Sequence, residues 1–383
     1  MRILYVCDAL AICGGIERVL VEKANWLVRH ADYEVCLLTV NQGTRSICFP
    51  LYPDVSCDDL NIQFHQQYHV PFWRRPFITQ HLHSVFRKRM YVKIKEFAPH
   101  VIVCTRLDYI RDILQIKGNI PLVFESHSSC LATRFEGNGL LRRIHVRYLQ
   151  LAVKKVQMVV ALTKGDAAEW HKLTPNVCVI PNVVHLNNDD TYSDCLAKSV
   201  IFVGRFSKQK DVGSLLRIWT IVHQRHPDWT LHLYGGYGEE QAALHQEIKQ
   251  MGTNIIIHEA TSDIMEKYKE NSMLLLTSLY EPFGLVLPEA MSCGLPIVAF
   301  DCPYGPSDII TDGVDGFLIR YRSIEDFADK VCLLIENPEL KKMMGQSGVL
   351  SAQRYATSRI MPMWKDLFEN LATEVRIILR GSP

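Results

Sequence analysis

The chain has 383 residues, of which 48% are hydrophobic and 22% charged, proportions that exclude a disordered protein and suit two folded domains. Lys and Arg total 42 against 41 Asp and Glu, and a net charge of +1 argues against a nucleic-acid partner. The charge is unevenly spread: residues 1–185 hold 23 basic and 15 acidic side chains, the remainder 19 and 26. Such halves fit domains with different partners, the basic one facing phosphates, anionic lipid or simply water.

Residues 2–7 (RILYVC) read as a buried first strand, because Asp8 interrupts what would otherwise resemble an export signal. Gly14-Gly15 follow, then a helical pattern from Ile16 to about Arg29. Further strands are expected at YEVCLLTV (33–40), HVIVC (100–104), PLVFES (121–126), VQMVVAL (156–162) and VCVIPN (177–182). Two basic, aromatic-bearing stretches lie between them, residues 74–97 and 140–156. They read either as packed helices with solvated basic faces or as surfaces that ride on an anionic membrane. Residues 183–198 are polar and rich in turn formers, a plausible linker. The alternation then restarts with SVIFVG (199–204), TLHLYGG (230–236), NIIIHE (254–259), MLLLTS (273–278), LPIVAF (295–300) and GFLI (316–319). Strands alternating with helical stretches predict two α/β halves built on parallel sheets. In the tail, Pro362 is expected to kink or start a helix. The 12 cysteines include no Cys-x-x-Cys pair and read as small buried hydrophobes in a reducing compartment, with no spacing for zinc. No apolar run approaches the ~20 residues that cross a bilayer, so the expected location is cytoplasmic.

Four clusters carry possible chemistry. Gly14-Gly15-Ile16-Glu17 opens a helix directly after strand one, where glycine admits a ligand close to backbone N–H groups. It is not GxGxxG and no acidic residue ends strand two, which disfavours a nicotinamide dehydrogenase. Gly204-Arg205 and Lys210 lie at a strand-to-helix connection, where two cations can hold a diphosphate and stabilise a departing phosphate. Glu281-Pro282-Phe283-Gly284-Leu285-Val286-Leu287-Pro288-Glu289 is the strongest cluster. Pro282 and Gly284 make a continuous helix unfavourable, so Glu281 is placed in a loop and Glu289 at a helix start. Either carboxylate can accept from sugar or ribose hydroxyls, and the backbone of 283–287 can meet a phosphate. His127 leaves a strand at the expected ligand edge, where it can donate a hydrogen bond or titrate near neutral pH. A Ser126/His127 hydrolase lacks the GxSxG elbow.

With these motifs in view, the chain resembles a retaining glycosyltransferase of family 4, the bacterial group 1 type with the GT-B fold. The likeness spans nearly the whole chain. It rests on E-x7-E (Glu281 to Glu289), GR-x4-K (Gly204, Arg205, Lys210), GG-x-E (Gly14 to Glu17), His127, and an IPN segment ending at Asn182. The segment DCPYGPSDIITDGVDGFLI (301–319) is similar to enzymes of capsule and lipopolysaccharide assembly. The resemblance implies two facing Rossmann-like domains with a cleft between them. Residues 1–182 would form the acceptor side, 183–198 a linker and 199–361 the nucleotide-sugar side, while a tail helix over 362–383 would cross back. It implies transfer of a hexose-like sugar from a nucleoside diphosphate sugar, UDP being the commonest in the family, to a glycan or lipid-linked saccharide. His127, Arg205, Lys210 and Glu281 would be catalytic. Gly14, Gly15, Arg205, Lys210, Phe283, Gly284, Leu285, Val286 and Glu289 would bind the donor, with no metal or cofactor. Gly15 would approach the donor phosphates, Glu281 would hold the sugar and Glu289 the ribose. The inner face of the cytoplasmic membrane is the expected surface partner. A GT-B epimerase or phosphorylase, or a non-catalytic saccharide-binding subunit, is the alternative. Two positions depart from the pattern: Asp211 stands where many members carry Gly or Asn, which puts the loop's shape in question, and DCPYGPSDII replaces a commoner form with Gly-Gly and Glu.

Overall fold

The computed structural model describes residues 1–130, 140–236 and 241–380. The chain divides into two compact units, one of Met1–Leu162, Asp166–Val183 and Ile360–Pro383, the other of Val184–Arg359 with Thr163–Gly165.

In the N-terminal unit seven strands form one parallel sheet. They are β1 (Arg2–Cys7), β2 (Glu34–Thr39), β3 (Ser56–Asp59), β4 (Val101–Cys104), β5 (Leu122–Ser126), β6 (Met158–Ala161) and β7 (Val177–Val179), in the order β3-β2-β1-β4-β5-β6-β7. The helices are α1 (Gly15–Ala31), α2 (Arg75–Phe97), α3 (Leu107–Ile116), α4 (Leu140–Val153) and α5 (Lys164–His171). The central strands are apolar on both faces because helices cover both. Leu4 and Val6 of β1 join Phe86 of α2 and Ile110 and Ile113 of α3 in one core, while Ile3 and Tyr5 are buried on the opposite face. Strand β3 has no counterpart in the sequence reading. Its residues, Ser56-Cys57-Asp58-Asp59, are polar and mostly exposed, and only pairing with β2 at the sheet edge makes them a strand.

The C-terminal unit repeats the plan with six parallel strands in the order β10-β9-β8-β11-β12-β13. They are β8 (Ser199–Val203), β9 (Thr230–Tyr234), β10 (Ile255–His258), β11 (Leu274–Leu276), β12 (Ile297–Phe300) and β13 (Gly316–Ile319). Helices α6 (Val212–Arg225), α7 (Gln241–Met251), α8 (Ile264–Lys269), α9 (Val286–Ser292), α10 (Gly305–Ile309), α11 (Ile324–Glu336) and α12 (Pro338–Ala352) surround them. Phe202, Trp219, Leu233, Leu275, Val298 and Phe327 lie in one core.

The last helix, α13 (Thr357–Arg380), crosses over: from Ile360 onward it belongs to the N-terminal unit. Trp364 and Phe368 are buried, and the Phe368 ring meets that of Tyr5 edge-on at 6.5 Å. The two Rossmann-like sheets and the crossover helix agree with the fold expected from the sequence. Of the two expectations for Pro362, that it starts the helix does not hold, because α13 begins at Thr357 and carries the proline inside. One missing N–H is outweighed by burial of Ile360, Met361 and Trp364 around it.

The reading of all cysteines as free thiols also fails at one pair, since Cys13 and Cys48 form a disulfide. Both sit in loops, which the sequence separation gives no means of bringing together. The folded chain does so through Cys48 N–H, which donates to Leu10 O at 2.9 Å, and Leu10 N–H, which donates to the Gln42 side chain at 2.7 Å.

Candidate active site

In an open parallel sheet, ligands bind beyond the carboxyl ends of the strands where the strand order reverses. In the C-terminal unit that point lies between β8 and β11. The loops leaving these two strands carry Arg205 with Lys210 and Glu281 respectively. They are sewn together by backbone: Leu279 N–H donates to Gln209 O at 2.7 Å, and the Gln209 amide donates to Tyr280 O at 3.0 Å. Thr277 Oγ1 donates to Lys210 O at 3.0 Å. Lys210 Nζ donates to Glu281 Oε1, which also accepts from Ser278 Oγ at 2.7 Å. Glu281 is buried, and its backbone is fixed from the far side. Its N–H donates to Pro303 O at 2.7 Å, and its carbonyl accepts from Tyr304 and Gly305, both at 2.9 Å. The unusual DCPYGPSDII segment is therefore what holds Glu281 in place.

The spacing of Gly204 and Lys210 has a steric cause. A Cβ on Gly204 would come within 3.2 Å of Lys210 Cε, so the glycine makes room for the lysine stem. Arg205 is exposed and, among the described residues, has no carboxylate partner, which leaves its guanidinium available to an anion. Asp211 resolves the departure noted in the sequence. It adopts φ 47° and ψ 53°, the left-handed region that Gly and Asn also favour, and caps α6 by accepting from Ser214 N–H at 3.3 Å and Ser214 Oγ at 2.7 Å. The loop shape survives because Asp tolerates that conformation and adds a cap.

Glu289 lies in the first turn of α9, buried, and its Oε2 accepts from Tyr268 Oη of α8 at 3.3 Å. Gly284 has φ +94°, which suits glycine alone, and its carbonyl accepts from Leu287 N–H at 3.0 Å. Phe283 is 3% exposed and its ring meets Tyr355 edge-on at 5.3 Å, so its side chain is core and only its backbone is offered to a ligand. Leu285 and Val286 are half-buried.

The N-terminal unit holds the other candidates. Gly14 caps α1 with extended backbone and Gly15 is the first helical residue, exposed; the Cys13–Cys48 disulfide anchors the loop just before them. His127 follows β5 and is buried. On a strand, alternate side chains share a face, and here Glu125 and His127 fall together, with His127 Nε2 3.1 Å from Glu125 Oε1. Lys23 Nζ of α1 donates to the same carboxylate. On the alternate positions, Asp166 accepts from Cys130 N–H at 2.7 Å, Trp170 Nε1 at 3.0 Å and Ser126 Oγ at 3.3 Å. Burial raises the Asp166 carboxyl to about 6 despite these bonds.

The structure thus brings Lys210 and Glu281 into contact and sets Arg205 on the same loop as Lys210, while Gly14, Gly15 and His127 belong to the other unit. Sequence reasoning did not assign Ser278, Tyr268, Lys23 or Glu125. Only Lys23 left a signal: Val19, Lys23 and Leu27 are spaced by four, which puts the lysine on the buried stripe of α1. Among the described residues, no group of three or more His, Cys, Asp or Glu side chains is arranged to hold a metal ion.

Comparison with known proteins places the chain among glycosyltransferases. Residues 13–188 fit the model described as Glycosyltransferase Family 4, and residues 196–349 fit Glycosyl transferases group 1. The amylovoran biosynthesis glycosyltransferase AmsD of Erwinia amylovora is 28% identical over 96% of this chain and 99% of its own. An uncharacterized glycosyltransferase of Haemophilus influenzae is 28% identical over 92% and 96%. Among solved structures, a complex of a TarM variant of S. aureus with UDP superposes with a TM-score of 0.77 at 15% identity, covering 96% of this chain and 99% of that one. The two matched segments fall one on each sheet, and the last helix crosses back to the first: the chain belongs to the family 4, group 1 glycosyltransferases of GT-B fold.

Proposed function

We propose that this glycosyltransferase moves a sugar, with retention, from a UDP-sugar to a glycan or lipid-linked saccharide in cell-surface polysaccharide assembly. The observation that carries the reading is the Lys210–Glu281 pair at the strand-order reversal of the C-terminal sheet, with Arg205, which has no carboxylate partner among the described residues, on the same loop. Residues 199–361 bind the donor and residues 1–182 the acceptor. The acceptor hydroxyl attacks the anomeric carbon on the face from which the nucleotide departs. The new glycosidic C–O bond forms as the bond to the β-phosphate oxygen breaks, and the hydroxyl proton passes to that phosphate, giving the glycoside and UDP. Arg205 and Lys210 stabilise the charge that grows on the leaving diphosphate, as preorganised cations in a low-dielectric site do. Glu281 holds the sugar, Glu289 the ribose, and His127 contacts the transferred sugar. The backbone at Gly14, Gly15, Phe283, Gly284, Leu285 and Val286 offers N–H groups to the donor. No step requires a metal or a further cofactor. UDP in the TarM complex and the amylovoran biosynthesis named for AmsD support the choice of donor and pathway class.

The same reading sets the enzyme on the inner face of the cytoplasmic membrane. Among the described residues no helix is long and apolar enough to cross a bilayer. Tyr68, Phe72, Trp73 and Phe77 are all more than half exposed, and the Arg74 guanidinium lies 4.6 Å over the Trp73 ring. Aromatics interleaved with arginine match an anionic interfacial surface. The test is UDP release across a panel of UDP-hexoses and UDP-N-acetylhexosamines with saccharide acceptors, with and without EDTA. Release from at least one donor that survives chelation and is lost in Lys210→Ala supports the proposal. Strict dependence on added Mg²⁺ or Mn²⁺, or release by GDP- or ADP-sugars alone, overturns it.

A further inference from the structure

Two opposite charges are sealed inside the N-terminal unit. The side chains of Lys23 and Glu125 are 0% and 1% exposed, and Lys23 Nζ donates to Glu125 Oε1. The ammonium lies 4.2 Å from the Trp364 ring centroid and 5.2 Å from that of Tyr5. Burial lowers the pKa of Lys23 in spite of the carboxylate. Burial also opposes ionisation of Glu125, yet Lys23 and His127 hold its carboxyl down to about 2. The desolvation of such a pair offsets most of its attraction, so two apolar side chains of similar volume would serve stability as well. Stability alone does not account for the pair.

What it faces does. The Lys23 bond occupies Glu125 Oε1, while Glu125 Oε2 is buried and has no hydrogen-bond partner among the described residues. His127 Nε2, 3.1 Å from Oε1, is likewise buried and lies outside hydrogen-bond alignment. An unsatisfied ring nitrogen beside a buried carboxylate is costly, and a small rotation of the imidazole brings its Nε2–H into line with Glu125 Oε1, 3.1 Å away. The nitrogen of a neutral histidine that carries the proton is set by the hydrogen bond it makes. We propose that Glu125 is a positioning residue that takes the Nε2–H of His127 and so presents Nδ1 as an acceptor to a hydroxyl of the transferred sugar, and that Lys23 orients and neutralises that carboxylate. This rests on the reading of His127 as a residue that contacts the sugar. The other groups around the pair are the Tyr5 phenol of β1, kept neutral by burial beside Glu125, and Trp364 of α13, while Asp166 is engaged by Ser126 and Trp170.

The test is ¹⁵N NMR of the full chain labelled at histidine, at pH 8 without donor, with the His127 signal assigned by its loss in His127→Gln. The expected result is a single Nε2–H tautomer for His127. In the apolar double variant Lys23→Met/Glu125→Leu, the tautomer ratio should move toward Nδ1–H at least tenfold. The kcat should fall at least tenfold with UDP affinity unchanged, and Lys23→Arg should retain the wild-type tautomer. An Nδ1–H tautomer in the wild type overturns the proposal without need of any variant, and so does an Nε2–H tautomer that persists in the folded double variant. Wild-type turnover in His127→Gln would instead remove the sugar-contact reading and leave the tautomer result standing.

Discussion

Replacing Lys210 by Met separates the catalytic from the structural work of one side chain. The Lys210 and Glu281 side chains are 15% and 5% exposed, so the substitution strands a nearly buried carboxylate that keeps only the Ser278 hydroxyl. Removing one partner of a buried pair costs about 3–5 kcal/mol, and the partial exposure of Lys210 puts this site near the low end. For a unit of this size that is a fall of roughly 6–12 °C in Tm. Adding Glu281→Gln removes the stranded charge and preserves an acceptor for Ser278, so the double variant should recover most of the lost Tm. Turnover should not recover. A preorganised cation facing a departing phosphate contributes about 3–4 kcal/mol, or roughly 100–1000-fold in rate. The assay pairs differential scanning calorimetry with steady-state UDP release on the same samples. Turnover within tenfold of wild type in folded Lys210→Met, or turnover restored in step with Tm in the double variant, would refute the electrostatic role and leave Lys210 a structural residue.

Gly305→Ala would set a Cβ 1.8 Å from Phe283 O and push away the loop that carries Glu281, so a stability loss of about 1–3 kcal/mol and at least a tenfold fall in turnover are expected in thermal melts and kinetics. Glu289→Ala should weaken UDP binding more than it slows the chemical step, because its proposed partner is the ribose; calorimetric titration showing unchanged UDP affinity would contradict that assignment. Lys23 and His127 hold the Glu125 carboxyl down to about 2 in the folded chain against an ordinary value of 4.5, so the stability it contributes is present above pH 4.5 and lost as the pH falls toward 2. The stability difference between wild type and Lys23→Met/Glu125→Leu should change across that window. Vesicles containing phosphatidylglycerol should float the protein at low salt, and Phe72→Ser/Trp73→Ser/Phe77→Ser should reduce the bound fraction severalfold; flotation indifferent to lipid charge would sink the membrane proposal.

The parts of this fold that could be read from residues are those whose side chains meet the same environment along a whole element. The runs at Ile3–Val6 and Ile201–Val203 are apolar because both sheet faces are covered. Gly204 and Lys210 were legible because they flank a strand-to-helix connection, where the lysine stem packs over the glycine. What stayed hidden depends on partners distant in the chain. Strand β3 is polar and owes its conformation to β2. Cys13 and Cys48 meet only because two loops are tied through Leu10 and Gln42. Lys23 shows in the sequence only as a lysine on the buried stripe of α1, and its partner Glu125 comes from β5. Asp211, in contrast, was recognised as a departure whose meaning required φ and ψ.

The return of α13 to the first sheet also constrains the order in which the protein can be made. The face of β1 that carries Tyr5, and the α1 lysine beneath Trp364, stay uncovered while the whole of Val184–Arg359 is being synthesised. At about 5–20 residues per second, a nascent N-terminal unit waits roughly 10–35 s for its last helix. During that interval water can still reach Lys23, and its ammonium stays hydrated; it is the arrival of Trp364 and Phe368 that closes over it.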